Sequence, residues 1–254
     1  SESSGTAISS TRSAAVAGFY SPADDEIKII TDSPDSPTIN NATLVHELVH
    51  ALQDQKYDLT KSKYGGDTQD EQLAADGLVE GDANYIERQY SAQCGTEWEC
   101  VETPSSGGGA GGGGGGGGQN LGVLLTIFQP YSDGPVYVHD LYERGGWEAV
   151  NDALRNPPAS TEQTIHVTDE SPRPISFADE GTNGWTTFPD QGVEGSDTVG
   201  EASMFAMFWY QARTSGAETV RVQSIADTNS RYDTYNYDAE PSNGWANDRL
   251  FPYR

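Results

Sequence analysis

His46, Glu47 and His50, in the stretch LVHELVHALQDQ, make a His-Glu-x-x-His pattern. On an α-helix residues i and i+4 lie about 40° apart on one face, so the two imidazoles project side by side. Zinc takes imidazole nitrogens at about 2.0–2.1 Å, and two ligands one turn apart satisfy that without strain. Glu47, one residue further round, is too short and misdirected to share the metal easily, yet close enough to touch a metal-bound water. With two histidines and one carboxylate on zinc, a fourth position stays open for water, whose pKa falls to about 7. Glu47 would take that water's proton as it attacks a peptide carbonyl, then pass it to the leaving amine. A bare HExxH also arises by chance in helices, so this chemistry requires a third ligand.

Glu80, in LVEGDANYIERQY, is the best candidate on spacing, about thirty residues beyond His50. The loop KYDLTKSKYGGDTQD is long enough for a second helix to fold back beside the first. Gly77 and Gly81 flank Glu80 and permit close helix approach. Asp82 and Glu87 compete with it as ligands, and an ordinary exposed carboxylate in an acidic chain is the plain alternative. Asn84, one turn beyond Glu80, is placed to orient a ligand histidine from behind.

These residues need elements to hold them. From Ala42 to Gln55 the apolar positions Leu44, Val45, Leu48, Ala51 and Leu52 have helical spacing, with Asn40 or Asn41 as N-cap. The stripe Leu44, Leu48 and Leu52 is expected to face the core and the histidines to face away from it. Asp70 to Tyr90 repeats the pattern as a second helix. AAVAGFY and EIKII read as two short strands around SPADD. LGVLLTIFQ reads as a buried strand or helix, VYVHDLYERGGWEAVNDALRN as helix around a Gly145-Gly146 break, and EASMFAMFWYQAR as a buried helix whose Met and aromatic residues are core. ETVRVQSIA reads as strand or helix. Residues 171–199 carry few periodic stretches. The segment 104–120, PSSGGGAGGGGGGGGQN, is too rich in glycine to order cheaply. It lacks the GK[ST] of a phosphate loop and reads as a flexible insertion. Residues 1–13 read as a loose segment, and 14–254 as a single domain.

HELVHALQDQ followed by EGDA resembles the minimal gluzincin-type metallopeptidases, in which the HExxH helix precedes a helix bearing a glutamate ligand. More closely, the chain is similar to a family of haloarchaeal surface proteins with bacterial secreted relatives. VAGFYSPADDEI, PYSDG, GGWEAVNDAL, PPASTEQTIH, VGEASMF and GWANDRL match the pattern in order, from about Ala14 to Tyr253. The resemblance implies Glu80 as third ligand and draws in Gln53 and Asp54, which continue the metal-bearing face and would buttress it. It also makes His166, in TEQTIH, the first choice for the oxyanion donor, with Tyr137 and Arg249 as alternatives and a structural hydrogen bond as the plain reading. The chain departs from the family at His166-Val167, where the pattern has His-Pro, and in its glycine run. Of the two remaining histidine readings, His139 is expected to be a surface or structural residue.

Composition narrows the setting. The 254 residues carry 39 Asp and Glu against 14 Lys and Arg, a formal charge of -25. Such a surface repels nucleic acid and anionic lipid. Aromatic residues at 10% argue against wholesale disorder. The expectation is a folded protein whose carboxylates hold water and solvent cations in concentrated salt, where self-repulsion is screened. Cys94 and Cys100 close a short loop, read as a disulfide in an oxidising compartment. No apolar run is long enough to span a membrane. The chain starts at Ser1 without a Met or signal-like segment, as a processed product would. Together these readings predict an α+β, mainly helical fold with a zincin-like core, the HExxH helix packed against a second ligand-bearing helix beside a small N-terminal sheet. They predict an extracellular or cell-surface zinc metallopeptidase of a halophilic organism, acting on a peptide or protein substrate. The alternative is a catalytically silent zincin-fold surface protein with a binding or structural role.

Overall fold

The computed structural model describes residues 18–31, 34–35, 39–100, 120–176, 181–190 and 192–253. The expected loose segment at 1–13 and all of the glycine-rich insertion but Asn120 lie outside them. The described chain is mainly helical with one two-stranded sheet, an α+β arrangement. Strands β1 (Gly18–Ser21) and β2 (Glu26–Ile29) pair antiparallel, with Tyr20 opposite Ile27. The SPADD turn joins them as expected.

Helix α1 runs Asn41–Tyr57, and the Asn40 side chain caps it by accepting from the Ala42 N–H at 2.8 Å. A single turn, α2 (Ser62–Gly65), follows. Helix α3 spans Gln69–Gln93, starting at the Thr68 cap with Asp70 and Glu71 in its first turn, where negative charge suits the helix dipole. Helix α4 covers Leu121–Arg155 and is capped by Asn120. It contains Pro130 and Pro135, and it kinks at Gly145 and Gly146, the latter at φ 63°. The LGVLLTIFQ stretch is therefore the first part of this helix. Helices α5 (Thr161–His166) and α6 (Gly200–Ser215) complete the set, with two 3-10 turns at Val222–Ala226 and Ser242–Gly244. The first of those turns takes up part of ETVRVQSIA. Among the described residues no helix is long and apolar enough to cross a membrane.

α3 packs on α4 through glycine. A Cβ on Gly81 would sit 2.4 Å from the Gly134 carbonyl, and one on Gly134 would sit 2.2 Å from the Gly77 carbonyl. The close approach expected of Gly77 and Gly81 is thus made to α4. One core cluster, built around Tyr57, Leu78, Tyr85, Val138 and Leu154, fills the space between α1, α3 and α4. A second, around Leu125, Phe205, Trp209 and Tyr237, lies between α4 and α6. In α6 Phe205 and Trp209 are core as expected, but Met207 is exposed.

The buried face of α1 is the reverse of the expected one. Leu48 and Leu52 are 52% and 61% exposed, whereas Glu47, His50, Gln53 and Asp54 are all below 9%. Burying polar groups is tolerable only when they find partners. These do, as the site geometry shows, and the leucine spacing marked a stripe that the protein leaves outside.

Candidate metal centre

α1 and α3 lie side by side, and three ligand atoms converge between them. The Nε2 atoms of His46 and His50 are 3.0 Å apart. Oε2 of Glu80 is 3.1 Å from the first and 3.4 Å from the second. Ligands at zinc distances on a tetrahedron are about 3.3 Å from each other, so this triangle has the dimensions of one tetrahedral face. Among the described residues it is the one group of three His, Cys, Asp or Glu side chains with metal-ligand spacing.

The protons on the histidines support the same reading. The Gln53 amide donates through Nε2 to the Val79 carbonyl at 3.1 Å and to Asp82 Oδ2 at 2.9 Å. Both partners are acceptors, so the amide orientation is fixed and Oε1 faces His50 Nδ1, at 3.0 Å. That contact places a proton on Nδ1 of His50. Glu87 Oε2 stands 3.4 Å from His46 Nδ1 and favours the same tautomer there, although the distance is long for a hydrogen bond. Both Nε2 lone pairs then point at each other and at a carboxylate oxygen. Three such atoms repel unless a proton or a metal cation sits where they meet. Electrostatics carries the same demand. Burial would lower the His46 pKa, but Glu80 and Glu87 outweigh it and raise it to about 10. Burial opposes the charged form of Glu80 too, yet His50 and His46 hold its carboxyl below the usual range. The donor set of two imidazole nitrogens and one carboxylate suits zinc.

Glu47 is buried on the same helix, and the backbone N–H of Tyr20 donates to its Oε2 at 2.7 Å. Burial raises its pKa above the usual carboxylate value, and the two histidines and the Tyr20 bond oppose that rise. The Tyr20 hydroxyl donates to Asp54 Oδ2 at 2.9 Å, and the Leu59 N–H donates to Asp54 Oδ1 at 2.7 Å. Gln53 thus contacts His50, and Asp54 contacts Tyr20 of β1 and the backbone of Leu59.

Other expectations fare differently. Asn84 donates to the Glu80 carbonyl of its own helix at 2.9 Å and reaches no histidine through that bond. The histidine-facing partners are Gln53 and Glu87. Asp82 bonds Gln53, and Glu87 meets the far nitrogen of His46, so neither of these competing ligands joins the triangle. His166 Nε2 meets both carboxylate oxygens of Glu201 at 2.9 and 3.0 Å, and its other charged neighbours are Asp238 and Glu162. These partners belong to α5, α6 and the C-terminal segment, and none of them is a member of the triangle. Arg249 reaches toward Ser196 at 3.5 Å, and Tyr137 is buried in the first core cluster. His139 packs its ring against Tyr232 and Tyr85. Cys94 and Cys100 form the expected disulfide.

Tyr20 was not singled out from the sequence. Its backbone and hydroxyl act on residues 27 and 34 positions away, and the only trace of that was its place in VAGFYSPADDEI.

Residues 186–254 match a family model described as a domain of unknown function, DUF8575. No curated protein and no solved structure matches the chain. The matched segment holds α6 and the Asp248 side chain that accepts from the Val199 and Gly200 N–H groups. His46, Glu47, His50 and Glu80 lie outside it.

Proposed function

We propose that the chain is an extracytoplasmic, zinc-dependent metallopeptidase with a gluzincin-like site. The convergence of His46 Nε2, His50 Nε2 and Glu80 Oε2, with each histidine backed by an acceptor, carries the reading. Zinc, when bound, supplies Lewis acidity and brings its water within reach of deprotonation near neutral pH. Glu47 is the general base. It takes a proton from water as the oxygen attacks the peptide carbonyl and returns it to the nitrogen as the C–N bond breaks, yielding a free carboxylate and a free amine. Tyr20 holds one of its oxygens in place.

The disulfide favours an oxidising setting. The formal charge of -25 suits concentrated salt, where it is screened and solvent cations cover it. The test compares wild type with Glu47→Gln, both loaded with zinc in molar salt, on an unfolded protein. Wild type should cleave and the variant should lose about 10²-fold or more of the rate with its zinc retained. Cleavage surviving the substitution overturns the mechanism. Zinc bound by both and cleavage by neither would favour a silent zincin-fold protein with a binding or structural role.

A further inference from the structure

We infer that an aromatic-lined cleft beside the ligand set is a substrate subsite, receiving a large uncharged apolar side chain, aromatic or leucine, of an extended peptide. This rests on the peptidase reading and names the substrate preference of that site.

The cleft measures about 570 Å³, ample for one such side chain. Val45, Ile86, Tyr85, Tyr142, Trp98 and Trp147 are among its lining residues. The depth gradient is visible in exposure: Tyr85 is 3% exposed, Trp98 47% and Trp147 46%. Both tryptophans pack against tyrosine rings. Trp147 packs edge-on against Tyr142 with centroids 4.9 Å apart, and Trp98 tilts over Tyr90 at 5.8 Å. Each is also held by the chain. Trp98 lies in the loop closed by the Cys94–Cys100 disulfide, and Trp147 follows the glycine kink of α4. A rim fixed in this way loses little entropy when a side chain enters.

Two observations connect the cleft to the candidate centre. Val45 precedes His46, and Ile86 precedes Glu87, the carboxylate facing His46 Nδ1. Ile86 lies six residues beyond Glu80 on α3, about 9 Å along the axis. An extended peptide advances about 3.3 Å per residue, so the cleft would take a side chain about three residues from the bond cut. The lining argues for an uncharged guest. In a chain with 39 Asp and Glu none of the lining residues is charged, so a lysine or arginine would find no counter-ion on the lining itself.

Two arms test this. A peptide library is first cleaved by the zinc-loaded wild type. The expected pattern is kcat/KM about tenfold or more higher for Phe, Tyr or Leu than for Ala or Asp at one position about three residues from the cut. Trp98→Ala with Trp147→Ala should flatten that preference. Ile86→Trp, which fills the cleft, should abolish it with zinc still bound. The second arm uses zinc-loaded Glu47→Gln and calorimetry on two peptides that differ only in Phe against Ala. The Phe peptide should bind about tenfold more tightly, and the tryptophan substitutions should erase the difference. Cleavage with no aromatic or leucine preference, a preference for Arg, or equal binding of the two peptides overturns the subsite. If wild type cleaves nothing, the peptidase reading fails, and the binding arm still decides the cleft.

Discussion

The Tyr20 N–H and Glu47 Oε2 are 2.7 Å apart, which puts the small sheet into the site rather than beside it. The same residue spans two turns of α1, because its hydroxyl reaches Asp54 at 2.9 Å. Tyr20→Phe keeps the backbone bond and removes the second. A hydrogen bond to a charged acceptor is worth about 1.5–3 kcal/mol when buried. Tyr20 is partly exposed, so only a small loss of stability is expected from urea denaturation. Zinc affinity should stay within about threefold, since the hydroxyl touches no ligand. A collapse of zinc binding would mean that β1 positions the ligands themselves.

Gln53 is the more direct support of the metal face. Its amide is held by Val79 and Asp82 and presents Oε1 to His50 Nδ1. Gln53→Ala should weaken zinc binding by about 10–100-fold in a chelator competition, the usual effect of losing a ligand's hydrogen-bond partner. Gln53→Glu keeps an acceptor for His50 but loses both donors and sets a carboxylate against buried Asp82, so it should also lower thermal stability. Equal zinc affinity in wild type and both variants would remove Gln53 from the site.

The two ligand helices were legible because their signals are local. HExxH is one turn of one helix, and the apolar periods of α1 and α3 are long enough to recognise. The face of α1 was misread because Leu44, Leu48 and Leu52 mimic a core stripe, while the face that is buried carries Glu47, His50, Gln53 and Asp54. Periodicity counts apolar residues and cannot register polar ones whose partners, Val79, Asp82 and Tyr20, come from elsewhere in the chain. The same limit hid Glu87 behind His46. It also left His166 without its partner: TEQTIH did not disclose that both carboxylate oxygens of Glu201, 35 residues on, would meet its Nε2. LGVLLTIFQ was ambiguous because a short apolar run fits strand and helix alike, and only its continuation through Pro130 and Pro135 decides for helix.

Glycine at the α3–α4 crossing sets where Glu80 stands. Gly81→Ala would drive a methyl to 2.4 Å from the backbone of Gly134, which cannot move like a side chain. Overpacking of this kind costs about 1–3 kcal/mol. Because Glu80 is the adjacent residue, the displaced helix should weaken zinc binding along with stability. Gly65→Ala, where an added Cβ meets nothing within 4 Å, is the control, expected to change stability by about 0.5 kcal/mol or less. Equal effects of the two substitutions on melting temperature would show that the crossing tolerates separation.

Asp70 joins the starts of three helices and should make stability depend on pH. It lies in the first turn of α3 and accepts from the Thr161 N–H at 2.9 Å and the Thr161 hydroxyl at 2.6 Å at the start of α5. Gly200, at the start of α6 with φ 79°, passes so close that a Cβ there would collide with the Asp70 carboxyl. Burial raises its pKa to about 7, the Thr161 bonds oppose this, and the charges of Asp248 and Glu71 add to it. An unfolded aspartate titrates near 3.9. The folded state therefore holds this proton more tightly, and the contribution to stability is complete below about pH 4. It is lost as pH rises toward 7 and stays lost above. Asp70→Asn keeps an acceptor for Thr161 and never ionises. Relative to wild type, the variant should gain on the order of 1–3 kcal/mol in unfolding free energy between pH 5 and pH 8. Denaturation curves at the two pH values in constant molar salt measure that gain. An unchanged difference between variant and wild type would show that Asp70 does not titrate in this window.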